Sequence, residues 1–206
     1  MIKSDAFHLH LNALVKDQQS FKPLYIFSGD EPLLMMEAID ALRALARTGG
    51  FTEREVLVQD RYFDWAALIN AGQTMSLFGD KRFVELRMPT GKPGREGAES
   101  LKHFAEQINN TGNGVDTIIC IILPRLDSKT KSSAWFSALD EAGMAIQIDS
   151  IDRLALPHWI GQRLKKQSQE VEAGESGQRA LQFMSDQVEG NLIAAHQEIQ
   201  KLALLY

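Results

Sequence analysis

Strand-like and helix-like patterns alternate along the sequence from Pro23 to Asp149. The strand-like segments are short apolar runs rich in β-branched residues, and the helix-like segments repeat apolar residues every three or four positions. Parallel strands need a long crossover between them, usually a helix, whereas a tight turn joins only antiparallel neighbours. The alternation therefore predicts an α/β domain in which helices cover a mostly parallel sheet.

The elements of this domain are predicted from the same periodicities. The expected strands are PLYIF, REVLVQD, KRFVELRMP, DTIICIILP and MAIQID. The expected helices are the segment from Lys3 to Lys16 and then LLMMEAIDALRALA, DWAALINAGQ, AESLKHFAEQINN and SSAWFSALDEAG. GKPGREG is predicted as a loop, because glycine and proline interrupt regular structure. The core-facing residues of the first helix are expected to be Phe7, Leu11, Leu14 and Val15.

The pattern changes near residue 150, after which no strand is predicted. Three helical segments follow, LPHWIGQRLKKQ, SGQRALQFMSDQV and NLIAAHQEIQKLALLY, with breaks at EAGESG and EGN. Such short connections favour helices that pack against their neighbours. We therefore predict an α/β domain at residues 1–150 and a small three-helix domain at residues 151–206.

The composition narrows the class of protein. Hydrophobic residues make up 44% of the chain and charged residues 24%, which is typical of a globular protein and not of a disordered one. The formal net charge of −5 does not favour a protein whose main task is to grip DNA. The sequence has no apolar run of membrane-spanning length and no signal peptide pattern, and its single cysteine, Cys120, excludes an internal disulfide. We expect a cytoplasmic protein.

A strand, a glycine-containing turn and a helix near the start of a parallel domain invite comparison with a P-loop, which reads G-x-x-x-x-G-K-[ST]. Here the turn is FSGDEPLL, with one glycine and no lysine. It places Asp30 and Glu31 where a phosphate would lie, and these carboxylates would repel a triphosphate. Asp30 and Glu31 could serve as a pair of catalytic acids, but a more ordinary role for this turn is to cap the following helix, through Asp30, Glu31 or Ser28.

Other groups needed for nucleotide chemistry are also missing from the sequence. The strand TIICIILPRLD runs into Pro124 and Arg125 instead of ending in an acid that could hold magnesium, and Ile193 stands where a nucleotide-sensing arginine is expected. The sequence therefore predicts the architecture of a nucleotide hydrolase without its chemistry. We expect no catalytic residue, no cofactor and no metal.

QTMSLFGDKR, from Gln73 to Arg82, contains an unusual apolar pair, Leu77 and Phe78. A buried strand would continue its apolar run, whereas here glycine and two charged residues follow. A surface turn seldom presents two adjacent large apolar side chains. Two interpretations stay open from the pattern: the pair packs under the next strand as core, or it enters a pocket on another protein.

The segments SGDEPLL, MSLFGDKRFVELR, PRLDSKTKSSAWF and EGNLIAAHQEIQKL together resemble the delta subunit of the bacterial DNA polymerase III clamp loader. The resemblance covers essentially the whole chain. It implies a P-loop NTPase-like (AAA+-like) parallel sheet domain without nucleotide chemistry, followed by a three-helix lid domain. The third domain of that family, which joins the collar of the loader, is expected to be missing from this sequence.

The resemblance also implies a function in DNA replication. Delta subunits bind and open the ring-shaped beta sliding clamp and are not themselves ATPases; the nucleotidyltransferase activity belongs to the polymerase holoenzyme. The implied partners are the beta clamp and the other loader subunits, delta prime and gamma or tau, with DNA at most an indirect contact and no membrane. The clamp-binding element of the family matches Gln73, Met75, Ser76, Leu77 and Phe78, and Leu77 and Phe78 form its hydrophobic plug.

Two rival functions follow from the residues alone. A nucleotide-binding enzyme with a degenerate phosphate loop would bind ATP or GTP. A purely structural α/β scaffold would shield Leu77 and Phe78 from water.

Three further motifs are weaker evidence for a function. SKTK, at residues 128–131, matches the S-x-x-K of serine acyl-enzymes, but neither S-D-N nor K-T-G accompanies it. Its basic residues and Arg125 could touch a phosphate backbone or form a solvated helix start. His8 and His10 point in different directions on a helix, so a shared metal is not expected.

Overall fold

The structure is a computed structural model that describes residues 1–16, 20–73, 81–110 and 115–205, with the backbone alone at Gln73 and Asn110. The chain forms two compact units. The first comprises Met1–Asp30 and Leu34–Asp149, and the second comprises Glu31–Leu33 and Ser150–Tyr206. Within the described ranges, no helix combines the length and the apolar character that a membrane crossing requires.

The first unit is built on a parallel sheet. Its strands are β1 (Ile2–Lys3), β2 (Leu24–Gly29), β3 (Phe51–Val58), β4 (Lys81–Arg87), β5 (Thr117–Leu123) and β6 (Met144–Ile148). The order across the sheet is β1-β6-β2-β5-β4-β3, and all the described pairings are parallel. Strands β2 and β5 are adjacent at the centre, which explains why their residues are apolar on both faces.

Helices connect the strands and then form the second unit. In the first unit, which includes all of α2 except Pro32 and Leu33, they are α1 (Ser4–Lys16), α2 (Pro32–Thr48), α3 (Trp65–Gln73), α4 (Gly94–Asn110), α5 (Ser128–Lys131) and α6 (Ala134–Ala142). In the second they are α7 (Leu156–Lys166), α8 (Glu175–Val188) and α9 (Leu192–Leu205). The predicted α/β fold with a parallel sheet and a helical region after it is confirmed.

The sequence patterns miss two elements and misplace one helix start. Strand β1 has two residues and helix α5 has four, so neither is long enough to show a period. Helix α4 begins at Gly94, inside the segment predicted as a loop. The reason is that the first turn of a helix needs no intrahelical amide bonds, so Pro93 and Gly94 do not prevent it from starting there.

Each face of the sheet has its own apolar cluster. On one face the side chains of α3, α4 and α6 pack on β2, β4 and β5; this cluster includes Trp65, Leu68, Phe104, Phe136 and Leu139. On the other face α1 and α2 supply the cover; this cluster includes Phe7, Leu11, Leu14, Ile39, Leu42 and Cys120. The prediction that Val15 joins the core is wrong, because it lies beyond the edge of the buried stripe of α1 and is 64% exposed.

The three helices of the second unit pack around a small apolar core of their own. Helix α7 contributes Leu156, Ile160 and Leu164, while α9 contributes Leu192, Ala195 and Ile199. The residue that follows α8, Glu189, has the left-handed conformation, with φ 48°. Glycine at position 190, with φ 83°, follows it, and this pair produces the sharp turn into α9.

Glu85 in β4 is a fully buried carboxylate, with no exposed surface. Its Oε1 accepts a hydrogen bond from Arg54 Nε at 2.8 Å and its Oε2 accepts one from Arg87 Nη2 at 3.0 Å. Arg43 Nε, on α2, lies 3.2 Å from Oε1. Desolvation would raise the pKa of Glu85, but the two hydrogen bonds and the charge of Arg43 outweigh it, so the pKa lies below its usual value. The carboxylate is therefore ionised in the folded protein at neutral pH.

Candidate functional site

The turn after β2, which corresponds to a phosphate loop, is held by hydrogen bonds of its own. Ser28 Oγ donates to the carbonyl oxygen of Pro124 at 2.9 Å, and the amide of Arg125 donates to Asp30 Oδ1 at 2.9 Å. The prediction that Asp30 or Ser28 caps α2 is therefore wrong, since both side chains bind the chain just after β5. The bonds join two adjacent parallel strands at their carboxyl ends, where a nucleotide phosphate would otherwise meet the sheet.

Of the predicted caps of α2, Glu31 is the one that has this role. Its Oε1 accepts a hydrogen bond from the amide of Leu33, in the first turn of α2, at 3.4 Å. Burial raises the pKa of Glu31, and this hydrogen bond partly opposes the rise. The carboxylate thus satisfies an amide that has no partner inside the helix.

Gly29 allows β2 and β6 to approach each other. A Cβ atom at this position would lie 2.2 Å from the carbonyl oxygen of Ile148 and 2.8 Å from its Cβ atom. Both contacts are too short for real atoms, and neither involves the end of a flexible side chain. The glycine that suggested a phosphate loop is therefore required by strand packing.

Replacement of Gly29 by alanine should lower the free energy of unfolding by about 2 kcal/mol, because the extra methyl group forces two paired strands apart. Urea titration monitored by circular dichroism measures this loss. Gly161→Ala serves as the control, since its Cβ would meet only the Leu181 side chain, at 3.3 Å, on a helix that alanine favours. Equal stability of Gly29→Ala and wild type would contradict the packing argument.

The described residues hold no arrangement typical of a metal or nucleophile site. Among them, no three His, Cys, Asp or Glu side chains are placed to bind a metal ion together. Cys120 is fully buried, and burial raises the pKa of its thiol. The SKTK motif forms the single turn of α5, where Asp127 Oδ1 accepts a hydrogen bond from the Thr130 amide at 2.7 Å. This motif is therefore a capped helical turn.

The predicted binding element lies between α3 and β4. Gln73 is the last residue of α3, and Met75, Ser76, Leu77 and Phe78 lie outside the described residues. The structure thus describes the two elements that carry the segment at residues 74–80.

One face of helix α3 is buried in the core of the first unit. The segment DWAALINAGQ begins with Asp64, a residue type favoured as a helix cap, and its Oδ1 accepts a hydrogen bond from the Ala66 amide at 2.9 Å. Trp65 and Leu68 are 6% and 0% exposed and belong to the cluster formed with α4 and α6. A Cβ atom at Gly97 of α4 would lie 2.2 Å from Trp65 Cζ2, so only glycine leaves room for the indole ring.

Arg82, which the sequence patterns did not single out, contacts both the last turn of α3 and strand β3. Its Nη1 donates to the carbonyl oxygen of Ala71, in the last turn of α3, at 3.5 Å. Its Nη2 forms a short ion pair with Glu55, and its Nε lies 3.4 Å from Glu53 Oε1. Its own amide donates to the carbonyl oxygen of Asp116 at 2.9 Å. The signal in the sequence is weak, because a lysine–arginine pair at a strand start is usually solvated.

Comparison with known families matches residues 25–149 to the model described as DNA polymerase III, delta subunit. The chain is 29% identical over 188 residues to DNA polymerase III subunit delta of Escherichia coli K12, covering 91% of this chain and 52% of that protein. It is 27% identical over 193 residues to the same subunit of Haemophilus influenzae, again covering 91% and 52%. The chain spans about half the length of these curated relatives.

Solved structures share the fold. The DNA clamp loader delta protein of Bacillus subtilis superposes with a TM-score of 0.64 at 18% identity, covering 96% of this chain and 57% of that one. A point mutant of RuvB from Thermotoga maritima superposes with a TM-score of 0.51 at 14% identity, covering 97% and 61%. At these identities the likeness concerns the fold alone, and it confirms the predicted α/β fold with a parallel sheet.

Proposed function

Because the chain belongs to the family of DNA polymerase III delta subunits, we propose that it binds and opens the beta sliding clamp during DNA replication. The open clamp would then be placed on primed DNA. The chain acts in this proposal through binding alone and is not an ATPase. Its partners are the beta clamp and, for the whole protein, the delta prime and gamma or tau subunits. DNA is at most an indirect contact, and the location is cytoplasmic.

The proposal rests on one observation: the segment that contains Leu77 and Phe78 joins two elements that are fixed to the core. Helix α3 is buried through Trp65 and Leu68, and β4 lies inside the sheet between β3 and β5. A connection carried by such a scaffold is a common place for binding residues, because the scaffold positions them without constraining their chemistry. The segment is therefore suited to present an apolar pair to a partner.

Leu77 and Phe78 supply the attachment to the clamp. Burying each of these side chains in a pocket contributes about 1.5–3 kcal/mol. Two adjacent residues of this kind can dominate an interface. Met75 has a flexible side chain that fills space beside the pair, and Gln73 offers an amide to polar groups at the rim of the pocket.

Opening of the clamp requires that the chain bind the open ring more tightly than the closed one. A ligand shifts a conformational equilibrium only by the difference between its affinities for the two states. We assign this difference to a second, rigid contact made by α3, in addition to the plug. The buried face of α3 fixes the helix to the first unit, so that its exposed face can press on the ring without yielding.

The turn after β2 argues against the rival function, nucleotide binding. Asp30 presents a carboxylate there that is hydrogen-bonded to the amide of Arg125. A triphosphate would have to displace this bond and lie against negative charge. The turn contains no lysine that could compensate.

Calorimetric titration of this chain with the purified beta clamp tests the proposal, with Mg²⁺–ATP and Mg²⁺–GTP titrated in parallel. We expect saturable binding of the clamp and no heat of binding from either nucleotide. If the clamp does not bind, the proposed function is wrong. Binding of a nucleotide would instead favour the enzyme with a degenerate phosphate loop.

A further inference from the structure

We propose that the free edge of strand β3 is a self-association surface, at which two copies of this chain pair their β3 strands in an antiparallel arrangement. The pairing joins residues 54–60 of one copy to the same residues of the other and extends the sheet across a two-fold axis. This inference goes beyond the proposed function and does not depend on clamp binding.

Strand β3 lies at one edge of the sheet and is the longest of the described strands, with eight residues. It pairs with β4, and its other edge has no strand beside it within the described residues. The opposite edge of the sheet is formed by β1, which has only two residues. A short edge strand offers few backbone groups for pairing, whereas a long one is a template for a further strand. The β3 edge is therefore the side on which this sheet can be extended.

The backbone groups that face the free edge belong to alternate residues of β3. The amide of Gln59 donates to the carbonyl oxygen of Arg87 at 2.8 Å, so the backbone of Gln59 points toward β4. Because backbone groups alternate in direction along a strand, those of Arg54, Val56 and Val58 point away from β4. These three residues supply the amides and carbonyl oxygens that an added strand would bind.

The two halves of this edge differ in how they resist strand addition. The amino-terminal half has a register irregularity after Phe51, followed by three charged residues at 53–55. Bulges and charged side chains both discourage the addition of a strand. Residues 56–58 include neither a charge nor a proline, and Val56 and Val58 are 39% and 53% exposed. The carboxyl-terminal half is therefore open to pairing.

One antiparallel register makes this edge complementary to itself. When Leu57 lies opposite Leu57 of the second copy, Val56 lies opposite Val58 and Arg54 lies opposite Asp60 of that copy. The backbone groups of Val56 and Val58 that face the free edge then meet as hydrogen-bonded pairs. Apolar pairs and pairs of opposite charge both stabilise antiparallel strands, and the two-fold axis makes each contact occur twice.

The two neighbouring registers that keep the same backbone groups in contact match less well. A register centred on Val56 places Arg54 opposite Val58. A register centred on Val58 places Val56 opposite Asp60. Both bring a charged side chain against an apolar one, so of the three registers only the one centred on Leu57 is self-complementary.

The charged residues that flank the apolar run are accessible to a second copy. Arg54 Nε donates to Glu85 Oε1 at 2.8 Å, but the side chain of Arg54 is 41% exposed, so a second carboxylate can reach it. Asp60 is exposed, and its Oδ1 accepts a hydrogen bond from the Tyr62 amide at 2.8 Å, which holds its carboxylate just beyond the end of β3.

Sedimentation equilibrium of this chain over a range of concentrations tests the proposal. A single pair of strands buries less area than the about 800 Å² per partner of a standard stable interface, so we expect a weak, reversible monomer–dimer equilibrium. Val56→Lys should raise the dimer Kd by about 30-fold, because both symmetric sites lose an apolar pair. Asp60→Lys should raise it by about tenfold, because like charges then face each other at Arg54.

Val15→Lys is the matched control, since it makes the same change as Val56→Lys at a side chain that is 64% exposed on α1. It should leave the dimer Kd unchanged. Circular dichroism checks that each variant is folded. If Val56→Lys does not fold, Val58→Lys decides, because it alters the same apolar pairs at a more exposed position.

Cysteine cross-linking tests the register. Residues directly opposite each other in antiparallel strands have Cα atoms about 4.5–5.5 Å apart, which a disulfide can span. Leu57→Cys should therefore form a covalent dimer on air oxidation, and so should a mixture of Val56→Cys with Val58→Cys. Val56→Cys alone should not, because diagonal neighbours are about 7–8 Å apart. Cys120 is fully buried and does not compete.

Three results would overturn the inference. The first is a chain that stays monomeric at every concentration, including one that binds an extended peptide of another protein at this edge. The second is self-association that Val56→Lys and Asp60→Lys leave unchanged, because the dimer then uses another surface. The third is cross-linking of Val56→Cys with itself but not of Leu57→Cys. Each of these leaves the proposed function intact, since clamp binding is measured separately by calorimetry.

Discussion

Replacement of both Leu77 and Phe78 by alanine is expected to remove nearly all binding to the beta clamp. Each side chain contributes about 1.5–3 kcal/mol when it is buried in a partner pocket, so the pair contributes about 3–6 kcal/mol. At 1.36 kcal/mol for each factor of ten, affinity should fall by about 150-fold to 25,000-fold. Calorimetric titration of the double variant with the purified beta clamp measures this loss.

The same double variant separates a plug from a core pair. If Leu77 and Phe78 packed under the sheet, each truncation would cost about 2–5 kcal/mol of stability. As a plug, they leave the urea unfolding midpoint nearly unchanged. Val56→Ala/Val58→Ala is the matched control, because it removes two apolar side chains that are 39% and 53% exposed on β3, and it should bind the clamp as wild type does. Unchanged clamp affinity in the Leu77/Phe78 variant would exclude the plug.

Glu85→Gln should destabilise the fold more than Gly29→Ala does, with a loss of about 3 kcal/mol at pH 7. The side chain of Glu85 is fully buried, and Arg43, Arg54 and Arg87 surround it. Glutamine has the same shape, but it removes the negative charge and turns an NH₂ donor toward arginine donors. The three arginine side chains are 32–49% exposed, so water can hydrate their charges after the carboxylate is lost. The expected loss of stability therefore lies at the lower end of the range for breaking a buried ion pair.

This loss should depend on pH in a defined direction. The pKa of Glu85 is lowered in the folded protein, so its carboxylate stabilises the fold fully above the unfolded-state pKa, about 4.3. As pH falls below that value, the unfolded chain takes up the proton first, and the contribution disappears as pH passes through the lower folded-state pKa. The difference in stability between wild type and Glu85→Gln should therefore be constant from pH 7 to about pH 5 and shrink below about pH 4.3.

Urea unfolding at several pH values measures this dependence. Glu99→Gln is the control, because Glu99 pairs with Lys102 on the surface of α4 and is 71% exposed. Its effect should stay below about 1 kcal/mol at every pH. A Glu85→Gln loss that persisted undiminished at pH 3 would show that the lost stability comes from packing and not from the charge.

Much of the fold could be predicted from sequence because the relevant signals are local. The continuous apolar runs of β2 and β5 and the helical period of α2 indicated their type, and Asp64 indicated where α3 begins. The mismatch between Leu77, Phe78 and their polar surroundings indicated where the proposed binding segment lies. Its assignment to clamp binding came from the family resemblance and stays a proposal.

Other features depended on contacts between residues that are far apart in sequence. Ser28 and Asp30 look like helix caps because capping is the common local use of such residues, yet the end of β5, almost 100 positions away, binds them. The spacing of Val15 from Leu11 and Leu14 is compatible with the apolar face of a helix. The sheet, however, covers a narrower strip of α1 that does not include Val15. Glu85 resembles a solvated strand residue until its three arginine neighbours are known.

By itself, the sequence determined the order and type of the main elements, the division near residue 150 as an expectation, and the lack of a P-loop lysine. These properties depend on residue spacing and chemical identity, which a linear chain displays directly. The tertiary structure alone decided the strand order, the need for glycine at position 29, the burial of Glu85 and the ion pairs that join Arg82 to Glu53 and Glu55. Each of these features depends on residues that are distant in sequence and adjacent in the fold. The free energy of such packing is set by those neighbours, and a local sequence pattern does not show them.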